Sequence, residues 1–320
     1  MSAQIDPKVL TALFQLTKAM HRDVYPPIDP KKLAPFASNK VILITGSGGG
    51  LGYAVAKTWT EVNAKGVVLV GRNEQKLESV AKELKGNTLV AAGDITNEEN
   101  VKAIFEKAIA RFGTVDVVLN AAGIFNYGTI GDMGPSQWWA EHVSLFEGLL
   151  HMQTASPPSL FMMICRQLAR RKLMLKQPTS LPTISTAFNK DRTTTFINLV
   201  SLGASMTNPG LSSLSTSQLA ATKLGKHLDL ELSNVRVFSV HPGIVEAKSG
   251  RGAVVDAMTP FAKDQPELTG AFTLYLLKPE ADVLRGGYAS VNWDVEEIEK
   301  HGDEIKEKRL LRLHQRKGRA

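Results

Sequence analysis

The sequence predicts an α/β fold, a doubly wound parallel sheet with helices on both faces, in a single domain with an N-terminal extension and a basic C-terminal tail. Three observations predict it. Strand-like and helix-patterned segments alternate four times between Lys40 and Gly123, at the spacing of βαβ units. The first strand-like run, KVILITG (40–46), is β-branched and apolar without alternation, as in strands covered on both faces. A glycine-rich turn then joins it directly to a helix, the arrangement found at the first βα junction of nucleotide-binding sheets.

In chain order, Val9, Leu10, Leu13, Phe14 and Leu16 give the N-terminus the pattern of a short amphipathic helix. The proline-rich stretch YPPIDPKKLAPFASNK (25–40) reads as an extended linker, so residues 1–38 precede a main domain over 39–300. After SGGGLG a helix runs from Tyr53 to Asn63. GVVLVG (66–71) is the second strand, followed by a charged helix from Glu74 to Leu84. TLVAAGD (88–94) is the third, leading into a helix from Asn97 to Phe112, and VDVVLNAAG (115–123) is the fourth. TTTFINLVS (193–201) and VRVFSVHPG (235–243) supply two more strands around a helix from Ser215 to Ser233, and GGYASVNWD (286–294) reads as an edge strand. Right-handed crossovers place all of these in one parallel sheet.

Composition excludes several classes. With 43% hydrophobic and 22% charged residues the chain can bury a full core. One cysteine, Cys165, cannot form an internal disulfide framework and suits a reducing compartment. No apolar run approaches the ~20 residues of a membrane span. The N-terminus lacks the continuous apolar core of a signal peptide, so a cytoplasmic location is expected. The net charge of +7 is local: seven basic residues and one acid lie in 160–192, and the same numbers in 306–320. That leaves 24 of the 38 basic and 29 of the 31 acidic residues for the rest, which is mildly acidic. The basic segments therefore read as solvated appendages, the second being a tail over 301–320, and no nucleic-acid partner is expected.

The first turn, TGSGGGLG (45–52), carries the chemistry. Gly46 permits the tight exit from the strand, Gly50 lets the backbone approach a pyrophosphate, and Gly52 lets the helix pack closely. The helix N-terminus adds unpaired N–H groups and the positive end of its dipole. At the end of the second strand an acid would bond the ribose 2′-hydroxyl of NAD, but VLVGRN presents Gly71 and then Arg72. A guanidinium there suits a 2′-phosphate, so NADP is the expected cofactor.

TGSGGGLG, GDI (93–95), NAAG (120–123) and HPG (241–243), in this order, resemble the short-chain dehydrogenase/reductase pattern over about residues 40–294. The flanks HRDVYPPIDP and GGYASVNWDVEE resemble those of fungal members, some from secondary-metabolite gene clusters. The resemblance implies a Rossmann-type fold, a small-molecule substrate and a homo-oligomer. It implies cofactor contacts from Gly46, Gly50, Leu51, Gly52, Arg72, Asp94, Asn120 and Val245, with Asp94 at the adenine and Asn120 stabilising the central strand.

Family members catalyse hydride transfer with an asparagine, a serine, a tyrosine and a lysine. Ser201 fits the serine. Thirteen residues on, where tyrosine is expected, stands Leu214, and four further, at the lysine position, Gln218. No tyrosine lies between Tyr127 and Tyr275. Lys223 is five residues past Gln218 and, at about 100° per residue, faces another way. Ser144 takes the asparagine position, and Ala247 replaces a threonine that would meet the nicotinamide. Tyr127 and His142 read as structural rather than as substitute proton donors. From Ser144 to Ser201 the chain is about double the family length, which marks an insertion near 157–192: a substrate-side addition or retained intron sequence. Glu246–Leu268 reads as a substrate lid.

Three functions follow. The chain is an NADP-dependent oxidoreductase acting on a carbonyl, an alcohol or another reducible group; or it is a repurposed pocket for non-redox chemistry; or it is a non-catalytic homologue.

Overall fold

The computed structural model describes residues 15–147, 151, 193–246, 259–308 and 310–311. The expected N-terminal helix, the insertion near 157–192, Cys165, Ala247 and most of the basic tail lie outside these residues.

Seven parallel strands form one sheet in the order β3-β2-β1-β4-β5-β6-β7. They are β1 (Val41–Thr45), β2 (Gly66–Gly71), β3 (Thr88–Ala92), β4 (Val117–Asn120), β5 (Thr194–Leu199), β6 (Val235–His241) and β7 (Tyr288–Ser290). The order reverses between β1 and β4, and a crevice opens there at the carboxyl ends of the strands. In β1 every residue is buried, because successive side chains enter opposite cores: Ile42 and Ile44 one, Val41 and Leu43 the other.

The main helices are α1 (Pro30–Ala37), α2 (Gly50–Glu61), α3 (Glu74–Leu84), α4 (Glu98–Phe112), α5 (Pro135–His142), α6 (Ser212–Glu231) and α7 (Pro266–Tyr275); α8 (Val295–Lys300) and α9 (Gly302–Glu307) close the chain. Helix α2 packs on α7, with the fully buried Trp59 donating its indole N–H to Thr273 Oγ1 at 2.9 Å. Helices α3, α4 and α8 begin at Asn73, Asn97 and Asp294, whose side chains accept a first-turn N–H. None of the helices in the described residues is long and apolar enough to cross a membrane.

The proline-rich stretch corrects an expectation. Instead of an extended linker it forms a 3-10 turn (Pro26–Ile28) and then α1. Pro30 sits at the first helical position, where its missing N–H costs nothing, and Asp29 caps that turn by accepting from Lys31 N–H. Ile28, Leu33 and Ala37 then enter the core. Tyr25 ties the segment to the far end of the chain: its hydroxyl donates to Trp293 O and accepts from Val295 N–H. Helix α6 starts at Ser212, three residues earlier than its apolar pattern suggests, which places Leu214 in the first turn.

Candidate active site

The crevice at the β1/β4 reversal is a cleft of about 1070 Å³. Gly46, Gly50, Leu51, Gly52, Arg72 and Asp94 all line it. The turn has this shape because side chains are excluded. Gly46 has φ +68°, and a Cβ there would stand 2.8 Å from Ala121 O; a Cβ on Gly52 would stand 2.5 Å from Gly46 O. The glycines thus allow the turn to close against β4 and α2 to start directly above it.

Asp94 is held in place by its own loop. Its Oδ1 accepts from Thr96 N–H (2.9 Å) and from Thr96 Oγ1 (2.8 Å). These hydrogen bonds, with a smaller contribution from the Arg72 charge, hold its carboxyl below the usual aspartate range. Asn120 lies inside the sheet rather than in the cleft: it accepts from Thr45 Oγ1 at 2.7 Å and donates to Asn198 Oδ1 at 3.0 Å, linking β1, β4 and β5. The same Thr45 oxygen accepts from Ala121 N–H and Ala122 N–H, at 3.2 and 3.1 Å, and so sets the exit of β4 along the cleft wall. Val245 is half-buried after β6 and does not line this cleft.

At the other end, Ser144 lines the cleft with Trp139 and Val143, on α5 and the π-helical turn that extends it (Val143–Glu147). Ser201, Leu214 and Gln218 do not line it. Ser201 Oγ accepts from Gly203 N–H at 2.9 Å and caps a 3-10 turn. Leu214 stands beside it: a Cβ on Gly203 would lie 3.2 Å from Ser201 Oγ and 3.3 Å from Leu214 Cδ2. Gln218 Oε1 is buried without a hydrogen-bond partner among the described residues. Of the downstream lysines, Lys223 is exposed and Lys226 borders a separate small pocket with Asp229 and Arg285.

Tyr127 and His142 have structural partners. The Tyr127 ring covers Gly210, and Gly128 N–H donates to Gly210 O at 3.1 Å. His142 stacks on Trp138 and Trp139, and its Nε2 lies 3.0 Å from Thr216 Oγ1; burial lowers its pKa. Glu141 is a buried carboxyl that sequence reasoning missed. One of its oxygens accepts from Asn126 N–H, and burial raises its pKa, opposed by that hydrogen bond and by Ser213. Lys76 was also missed; it lines the cleft from the first turn of α3. Its signal was a cation four residues beyond Arg72, on a helix facing the glycine turn.

A family model described as short chain dehydrogenase matches residues 40–165. The short chain dehydrogenase tazN of Aspergillus terreus is 29% identical over 297 residues, which is 89% of this chain but only 58% of that protein. The short chain dehydrogenase mpl6 of Monascus purpureus is 25% identical over 306 residues, 92% of this chain and 94% of that one. A short chain dehydrogenase from Bacillus anthracis superposes with a TM-score of 0.61 at 20% identity, covering 82% of this chain and 96% of that one. A 3-ketoacyl-(acyl-carrier-protein) reductase from Brucella melitensis, solved with NADH, superposes with a TM-score of 0.61 at 24% identity, covering 79% and 96%.

Proposed function

Because this chain belongs to the short-chain dehydrogenase/reductase family and resembles its fungal members, we propose that it is an NADP-dependent oxidoreductase. Its substrate is a small molecule with a carbonyl, an alcohol or another reducible group, in fungal secondary metabolism. The cleft is the observation that carries this reading. Its glycine turn has no room for a side chain at Gly46 or Gly52, and Arg72 stands where an acid would favour NAD. Gly46, Gly50, Leu51 and Gly52 would hold the pyrophosphate and Arg72 the 2′-phosphate, with Asp94 toward the adenine. The bound cofactor supplies the hydride.

The protein's own contribution at the reacting end is reduced. Ser201 accepts one hydrogen bond from Gly203, which leaves its O–H to donate to a substrate oxygen. Leu214 has no proton to exchange and Gln218 carries no charge. General acid–base catalysis contributes roughly 10² to 10⁴ in rate, so a substrate already activated, or protonated by water, remains reducible without it. A second reading, a nucleotide-binding homologue without the redox step, is favoured by Leu214 packing beside Ser201.

The test is in two stages. NADPH fluorescence is titrated with the purified protein, and NADPH consumption is then followed with a panel of ketones, enones and imines. Binding with turnover supports the oxidoreductase, binding alone supports the second reading, and no binding at millimolar NADPH removes both.

A further inference from the structure

The cleft contains a second cation that the strand-end argument does not use. Lys76 lies in the first turn of α3, with its N–H donating to Asn73 Oδ1 at 2.9 Å. Its side chain turns back across the glycine-rich turn. A Cβ on Gly48 would stand 3.5 Å from Lys76 Cδ, and one on Gly49 would stand 3.5 Å from Lys76 Nζ. The methylene chain therefore lies along Gly48, and the ammonium lies over Gly49. Among the described residues Lys76 has no carboxylate partner. A cation in the first turn of a helix faces the positive end of the dipole, so helix stability does not explain it.

The surrounding charges point the same way. Arg72 lines this cleft, as do the glycine turn and the start of α2. The one carboxylate among the described residues lining the cleft, Asp94, is occupied by Thr96. An anion is what this arrangement lacks. We propose that Lys76 is a specificity-determining residue that, together with Arg72, clamps the 2′-phosphate of NADP: Arg72 from the end of β2, Lys76 from above Gly48 and Gly49. The lysine thus reaches the turn from the neighbouring helix and lies in contact with it at Gly48 and Gly49. This inference rests on the NADP reading above and adds a residue to it.

The experiment measures dissociation constants of NADPH, NADH, 2′,5′-ADP and 5′-AMP for the native protein, Lys76→Met, Lys76→Arg and Arg72→Gln. A charge-assisted hydrogen bond corresponds to roughly a 10- to 100-fold effect on affinity. Lys76→Met is expected to lose that much for NADPH and 2′,5′-ADP while NADH and 5′-AMP change less than about threefold. Lys76→Arg restores the preference, and the salt dependence of 2′,5′-ADP binding falls in Lys76→Met. Unchanged NADPH affinity in Lys76→Met, with Arg72→Gln impaired, overturns the role of Lys76 and leaves the NADP reading standing. Equal losses on NADH and NADPH also overturn it, since the lysine would then serve the pyrophosphate or the turn. A native protein that binds none of the four overturns both.

Discussion

Arg22 Nη1 lies 3.0 Å from Asp264 Oδ1, an ion pair that joins the segment ahead of the parallel sheet to the far end of the loop after β6. The Asp264 side chain is fully buried, and its other oxygen accepts from Ile244 N–H at 2.6 Å. Asp264 N–H donates in turn to Ile244 O, so the two ends of the loop are held together and Arg22 supplies the charge that compensates the carboxylate. Burial raises the Asp264 pKa, and these hydrogen bonds with Arg22 oppose the shift.

Removing Arg22 strands a buried carboxylate. Arg22→Met is expected to cost about 3 kcal/mol in urea unfolding at pH 7. With Asp264→Asn already present, the same change should cost much less. Equal costs in the two backgrounds would show that Arg22 acts by packing and not by charge.

Thr45 is the node between β1 and β4. Thr45→Val removes the acceptor for Ala121 N–H and Ala122 N–H and the donor to Asn120, all in or beside the buried sheet. Unsatisfied buried groups make this loss roughly 3 kcal/mol, although valine matches threonine in shape. NADPH affinity should fall with stability, because Ala121 and Ala122 line the cleft. Calorimetry gives the first quantity and fluorescence titration the second.

His241 is fully buried at the end of β6, and burial pushes its pKa down to about 3. The folded protein thus binds this proton more weakly than the unfolded chain does. The resulting stability is present above the ordinary histidine value, near 6.5, and is lost as pH falls from there toward 3. The full loss is about 5 kcal/mol. His241→Leu should flatten the dependence of unfolding free energy on pH across this window, whatever its effect on stability at pH 8. An unchanged slope would place the acid sensitivity elsewhere.

How much of this was legible in the sequence depended on whether the cause was local. Gly52 could be recognised because its close contact with Gly46 O lies within one turn, Gly46 because its positive φ is set by the same turn, and Arg72 because its place follows from the end of a strand. The prolines of 26–35 misled for a physical reason. Proline disfavours helix interiors but suits helix starts, and only the burial of Ile28, Leu33 and Ala37 decides between these outcomes. Lys76 escaped because its meaning is its contact with Gly48 and Gly49, which belong to a different βα unit. Asn120 was expected by resemblance both to stabilise the central strand and to contact the cofactor; its hydrogen bonds to Thr45 and Asn198 do the first, from inside the sheet.

The relation between Ser201 and Leu214 gives the most decisive prediction for activity. Ser201 Oγ and Leu214 Cδ2 converge on the same point beside Gly203, so a tyrosine at 214 would start from the correct helical turn to share a substrate oxygen with Ser201. Gln218, one turn further along α6, has a buried Oε1 without a partner among the described residues, and a lysine there would lie on the same helix face. If the native protein is an oxidoreductase limited by proton transfer, Leu214→Tyr/Gln218→Lys should raise kcat/KM for simple ketones by roughly 10² to 10⁴, with little change in NADPH affinity. The single variants should gain much less, because the lysine acts by lowering the tyrosine pKa. Equal turnover by the native protein and the double variant would mean that the native substrate needs no side-chain acid. Turnover by the double variant alone would mean that the native chain has kept its nucleotide cleft and lost its chemistry.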